Sequence, residues 1–276
     1  MKKENEKLRI AYCGATGSFA EQAARAVFPE EVLAPCPSFR EAYDRTVRGE
    51  TDRTLLPLEN SYAGEVGPTM DLILDGELVV TDVYEMRVIQ NLVAVKGTRL
   101  EEIRTVVSHP QALAQCAEYL AAHGFREELE ENTAFAAKKV AETGSHEIAA
   151  IASKAAAARY GLEILAENVE GSRDNTTRFA LLTRVAPAAR EGERLILLFT
   201  VLDRSGALLE ALKIIAAYGF NMKSLHSRPL KEKAWQYYFY VEAEGAGDEN
   251  AMLRDLGNCC SSAKIAGRYL AGVTIE

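Results

Sequence analysis

The residues best suited to chemistry fall in four short stretches, and most of them are uncharged. Glu59, Asn60 and Ser61 cluster at the end of the β-like run RTLLPLEN, where Pro57 lets the chain leave a sheet. Ligands of open α/β sheets bind at such C-terminal strand ends. In SHPQALAQC, Ser108, Gln111 and Gln115 stand at i, i+3 and i+7, the spacing of one helix face. Ala112, Leu113, Cys116, Ala117 and Leu120 supply the apolar side of that helix. A solvated face favours Glu and Lys, so neutral hydrogen-bonding groups beside an apolar stripe suit a cleft wall. His109 is a candidate acid, or a structural residue at the helix start. In EGSRDNTTRFALLTR a polar cluster runs into a strand, so Thr177 and Phe179 share one face and Arg178 points to the other. Arg173 and Arg178 add local positive charge for an anionic ligand. In GATGSFAEQAA, two glycines allow a tight strand-to-helix turn, and Ser18 with Glu21 makes a capping-box pattern at the helix start. That helix start reads as a simple cap or as an anion site. Taken singly, each stretch also reads as an ordinary polar turn, cap or loop–strand junction.

Stretches of this kind need a scaffold that brings them together. From Leu8 to about Leu182 short β-like runs alternate with helical ones, which indicates an α/β architecture. LRIAYC, ELVVTDVYE, MRVIQNLVAVK, RTVVSHP, EIAAIAS and RFALLTRV read as strands. HPQALAQCAEYLAAHG and TAFAAKKVAETG read as helices, and Thr69 is a plausible N-cap for another. Val185 to Arg194 carries Pro187, Gly192 and mixed charge and reads as a linker. Beyond it the pattern is β-α-β-β-α-β, the ferredoxin-like split motif.

With 276 residues, 48% of them hydrophobic, the chain is long enough for two modest folded domains. The net charge of −8 argues against general nucleic-acid binding. No apolar run approaches the roughly 20 residues of a membrane span, so no membrane partner is expected. The N-terminus has no apolar h-region, and the expected compartment is the cytoplasm. Cys13, Cys36, Cys116, Cys259 and Cys260 show no metal-ligand spacing and are expected to be free thiols, so neither a metal nor an organic cofactor is anticipated.

In their order along the chain, GATGSF, PLENS with GEV and TMDL, SHPQALAQC, NTAFAA, AAIAS and NTTRF resemble the prephenate dehydratase family. The C-terminal unit resembles an ACT domain, in which SRP at Ser227, Arg228 and Pro229 matches a regulatory motif. The resemblance covers about Ile10 to Gly272. It implies a two-lobed, periplasmic-binding-protein-like catalytic domain over residues 8–186, with the site in its cleft, and a ferredoxin-like ACT domain over 194–276. It places the catalytic roles on Asn60, Ser108, Gln115 and Thr177; beside these, the strand-end cluster and the local charge make Ser61 and Arg178 further substrate-binding candidates, Arg178 through support of the strand or the field. It implies prephenate as substrate, or its amine counterpart arogenate, and L-phenylalanine as effector. The effector residues would be Gly206, Ala207 and Leu208 at the first turn of the ACT domain, with Asn221, Ser227 and Arg228 facing them across a homodimer or homotetramer interface. A non-catalytic ligand-binding module of the same fold is the other class considered. Without the long helical N-terminal extension of fused chorismate mutases, no mutase activity is expected. Two departures bear on effector binding: the family's proline before Gly206 is Ser205, and its acidic residue before SRP is His226.

Overall fold

The computed structural model describes residues 7–171, 175–184, 194–230 and 235–275. Arg173 and most of the expected linker, 185–193, lie outside the described residues. The chain divides into two compact units. One comprises residues up to Met70 with Tyr84–Ala180 and the C-terminal tip; the other comprises Asp71–Val83 and Leu181–Val273.

The first unit has two lobes. In lobe one, strands β1 (Arg9–Cys13), β2 (Val32–Cys36) and β3 (Arg53–Asn60) alternate with helices α1 (Phe19–Val27) and α2 (Phe39–Val47). Parallel pairing of β1 with both β2 and β3 requires these crossovers. A two-residue strand β4 (Gly64–Glu65) turns back on β3, then α3 (Gly67–Asp75) leads to β5 (Val79–Arg87). The α3 helix starts two residues before the expected cap. Thr69 is therefore buried inside its first turn, its hydroxyl without a partner.

Lobe two carries β6 (Asn91–Ala94), β7 (Thr105–Ser108), α4 (Pro110–Gln115), α5 (Ala117–His123), β8 (Arg126–Leu129), α6 (Thr133–Thr143), β9 (Ile148–Ala152), α7 (Lys154–Tyr160) and β10 (Glu163–Ala166). Its sheet has the order β10-β6-β9-β7-β8, and its three central strands are buried on both faces. Leu92, Val106, Ala149 and Ile151 join one core with Leu113 and Leu120, while Val93, Val107, Ala150 and Ala152 join another with Ala137 and Ala156. This alternation is the period of two expected of a strand packed on both sides. The expected strand MRVIQNLVAVK is split, because the chain crosses between lobes at Val88–Gln90. There the Val88 N–H donates to the Asn175 carbonyl (2.8 Å) and the Gln90 N–H to the Glu170 carboxylate (3.0 Å). The single helix expected after Pro110 is also split: the Gln115 carbonyl accepts from the Gly171 N–H (3.1 Å), and the chain kinks at Cys116. The return strand β11 (Thr176–Thr183) lies between β5 and β3 in the sheet order.

The second unit has the expected split βαββαβ order: β12 (Arg194–Val201), α8 (Ala207–Ala217), β13 (Asn221–Pro229), β14 (Tyr237–Glu244), α9 (Glu249–Leu256) and β15 (Cys260–Tyr269), followed by β16 (Val273–Ile275). The strands run β13-β14-β12-β15, and Leu195, Leu197, Phe199 and Val241 pack under Ala211, Ile215, Met252 and Leu256 of the two helices. The early part of β5 joins this unit through Gly267 and Val80, where any side chain at Gly267 would collide with the Val80 carbonyl. Among the described residues, no helix is long and apolar enough to cross a membrane.

Candidate functional site

A cavity of about 280 Å³ opens between the two lobes of the first unit. Its walls come from the N-terminus of α1, the ends of β3 and β11, the crossing at Val88–Gln90, helix α4 and the start of α6. Asn60 and Thr177 line it from lobe one, and His109, Gln111 and Gln115 from lobe two.

Asn60 organises the site because the main chain fixes its orientation. Its Oδ1 accepts from the Tyr62 and Ala63 N–H groups, both at 3.0 Å, and from Gln111 Nε2 at 3.2 Å. Its Nδ2 therefore faces the other way and donates to Asn175 Oδ1 (2.8 Å) and Thr177 Oγ1 (3.0 Å), with the Thr176 carbonyl further off at 3.3 Å. Asn175 passes the same polarity on: its Nδ2 donates to Gln115 Oε1 at 3.0 Å. Thus the amides of Asn60 and Gln115, from opposite lobes, are joined through a buried asparagine. Because Thr177 accepts from Asn60, its own hydroxyl hydrogen stays available to a ligand.

His109 caps α4, its Nδ1 accepting from the Gln111 N–H at 3.2 Å, with Pro110 in the first turn. Burial lowers its pKa below the ordinary value, so the ring is neutral at pH 7 with its proton on Nε2. Among the described residues, no other side chain lining the cavity is ionisable in the neutral range, so these residues offer an anion neutral donors.

Three expected site residues do not reach this cavity. Ser108 is wholly buried at the end of β7 and donates to the Ile151 carbonyl at 2.7 Å. It belongs to the strand, so the helical spacing that grouped it with Gln111 and Gln115 does not extend to it. Ser61 pins β3 to β11 instead: its Oγ accepts from the Thr176 N–H (3.0 Å) and its N–H donates to the Thr176 carbonyl (2.9 Å). Arg178 is on the face of β11 opposite Thr177 and pairs with Glu59 at 3.0 Å. Conversely, Asn175, Gln90, Asn132 and Phe179 contribute to the site or its support without having been singled out as functional. The position of Asn175 within NTTRF was its only sequence signal.

The GATGS turn serves packing. Gly17 has φ +91°, and a Cβ there would press on Ala156 of α7 at 3.3 Å. Ser153 Oγ and Tyr160 Oη donate to the carbonyls of Gly17 and Thr16. The Gly17 N–H is taken by the Glu21 carboxylate at 2.6 Å, which occupies the place an anion would need.

The second unit contains a cavity of about 770 Å³ at the end of β12 and the start of α8. Gly206, Ala207, Leu208 and Ser227 line it, together with Thr200, Asp203 and Arg204. Gly206 precedes α8 with φ +84°, a conformation that favours glycine. Trp235, 91% exposed, Leu209 and Tyr237 form an apolar rim. Asn221 is exposed at the opposite end of β13 from Ser227 and does not line this cavity. Nor does Arg228, whose guanidinium donates to Tyr238 Oη (3.0 Å) and lies 3.6 Å from Asp71, which also accepts from Tyr238 Oη.

Residues 10–187 match the family model for prephenate dehydratase, and residues 195–260 match that for the ACT domain. The chain is 34% identical over 283 residues to the chloroplastic arogenate dehydratase/prephenate dehydratase 2 of Arabidopsis thaliana, covering 98% of this chain and 74% of that one. A solved prephenate dehydratase from Arthrobacter aurescens, in complex with L-Phe, superposes with a TM-score of 0.86 at 28% identity, covering 95% and 90% of the two chains. A structure described as GqqA, a novel type of quorum quenching acylase, superposes with a TM-score of 0.85 at 32% identity, covering 96% and 98%. The split βαββαβ unit, the two-lobed domain before it and these likenesses agree: the chain belongs to the prephenate dehydratase family, a catalytic lyase domain joined to an ACT domain, acting on prephenate or arogenate in aromatic amino-acid biosynthesis.

Proposed function

We propose that the chain converts prephenate to phenylpyruvate, CO2 and water in the synthesis of L-phenylalanine. We place it in the cytoplasm, as a homodimer or homotetramer joined through its ACT domains, with L-phenylalanine as feedback inhibitor. The observation that carries the reading is the cavity lined by neutral amides around Thr177. In the reaction the bond to the ring carboxylate breaks, its electron pair enters the ring, and the C–O bond breaks as the hydroxyl takes up a proton. Thr177, its oxygen already occupied by the Asn60 donor, offers its hydrogen to the departing oxygen. Gln111, Gln115 and neutral His109 orient the dianion with hydrogen bonds. A cationic clamp on the leaving carboxylate would hold the ground state as tightly as the transition state and accelerate nothing. Acyl hydrolysis would instead call for a nucleophile bonded to a general base, whereas Thr177 is bonded to the Asn60 amide.

The Gly206 turn and the N-terminal end of α8 suit the amino and carboxylate ends of an amino acid. Purified protein treated with EDTA should form phenylpyruvate from prephenate, read by its absorbance in alkali, and phenylalanine but not tyrosine should slow it. Absence of turnover on both prephenate and arogenate would reject the dehydratase reading. Unchanged rates with phenylalanine would reject the feedback reading.

A further inference from the structure

One buried acceptor in the catalytic cavity lacks a hydrogen, and the direction of the amide chain explains why. Gln90 is 3% exposed and lines the cavity at the crossing between lobes. Its Nε2 donates to Gln115 Oε1 at 3.4 Å, the long limit of a hydrogen bond, while its Oε1 has no partner. Turning the amide over would set two carbonyl oxygens against each other. Gln115 cannot turn to relieve this, because Asn175 donates to its oxygen; Asn175 is oriented by Asn60, and Asn60 by two main-chain N–H groups. A polarity fixed by the backbone thus ends at an unsatisfied carbonyl in the wall of the site, a costly arrangement until a donor arrives.

The two substrates of this reaction class differ in what they can offer there. Arogenate carries an ammonium where prephenate carries a keto group, and a keto group brings no hydrogen. Glu170, whose carboxylate accepts from the Gln90 N–H at 3.0 Å, adds negative potential beside the same residue. We propose that Gln90 is a specificity-determining residue: on binding, its loosely held amide swings Oε1 into the cavity to accept from the ammonium of arogenate, extending to the amine substrate a site that also handles prephenate. The inference rests on the dehydratase reading above.

The test compares kcat/KM on both compounds for the wild type, Gln90→Met and Gln90→Glu. The wild type should use both. Gln90→Met, which keeps length and loses the acceptor, should lower the arogenate-to-prephenate ratio of kcat/KM about tenfold, whatever the loss of the donor to Gln115 does to the rate on both. Gln90→Glu keeps an acceptor and adds charge, so its arogenate-to-prephenate ratio should rise about tenfold, which also covers the case of a methionine variant that does not fold. An unchanged ratio in the folded variants, or a wild type active on prephenate and inert on arogenate, would overturn the assignment. A wild type inert on both would instead bring down the dehydratase reading, and this inference with it.

Discussion

The two cavities of this chain are built from different materials. The one between the lobes, proposed as catalytic, is small and is walled by side-chain amides and hydroxyls that orient one another, from the Tyr62 and Ala63 N–H groups through Asn60 and Asn175 to Gln115. The ACT cavity is more than twice as large and is made chiefly of chain ends and turns: the end of β12, the Gly206 turn and the first turn of α8, under an apolar rim. Side-chain networks hold donors in fixed directions before the ligand arrives, as catalysis requires. Main-chain sites read the ends common to all amino acids and leave selection among side chains to the rim. The first should therefore fail when a single side-chain link is cut, even outside the cavity, and the second should fail when the backbone is altered.

Thr177→Val keeps the shape and removes the hydroxyl. We expect kcat to fall by about 10²-fold or more. Thr176→Val, on the other face of the strand, should change it little, and equal effects of the two would remove Thr177 from the mechanism. Next in size is Asn175→Ala. This residue is buried and does not line the cavity, yet cutting it from Asn60 and Gln115 should lower kcat by up to about 10²-fold, since small misplacements of reacting groups carry large rate effects. A positioning role predicts that kcat falls more than KM rises while inhibition by phenylalanine persists; loss of both together would indicate a general structural defect. In the ACT cavity, Gly206→Val forces a β-branched residue to φ +84°. Basal turnover should hold within about twofold while the response to phenylalanine is lost, because the strain is confined to the effector turn. Retained inhibition would show that the ligand sits elsewhere. The smallest effect belongs to Ser108→Ala. With its hydroxyl spent on the Ile151 carbonyl, the variant should lose about 1 kcal/mol of stability in denaturant titration and keep the kcat of the wild type. A large fall in kcat in a stable Ser108→Ala protein would restore the serine to the active site.

Much of the scaffold was legible from pattern alone. The ferredoxin-like order of the second unit emerges because its strands and helices differ sharply in period, and because turn residues separate them. In lobe two, β6 and β9 fall inside runs that read as strands, and their continuous apolar character suits burial on both faces. What escaped was long-range. Ser108 shares helical spacing with Gln111 and Gln115, but spacing carries no information across a strand–helix junction, and the side chain went to a neighbouring strand. Arg178 offered the positive charge that an acidic protein would need for an anion, yet Glu59 stands on the adjacent strand and takes it. Asn175 and Gln90 are 85 residues apart in sequence and meet only through Gln115. The split of the long helix at Cys116 likewise depends on Gly171, which no local pattern connects to Gln115.

The pinning of Ser61 to Thr176 bears on how the enzyme ages. Asparagine deamidates when the N–H of the following residue attacks its side-chain carbonyl carbon, and such residues are among the thermolabile ones. At Asn60 the attacking nitrogen belongs to Ser61, and its hydrogen is held by the Thr176 carbonyl at 2.9 Å. Asn60 itself is held through both ends of its amide, away from the geometry that ring closure demands. Conversion to aspartate would set an acceptor against Asn175 Oδ1 and draw the Thr177 hydrogen away from a ligand, so one chemical event would disable the site. The strand-end clasp that shapes the cavity thereby also gives its central residue a long chemical lifetime.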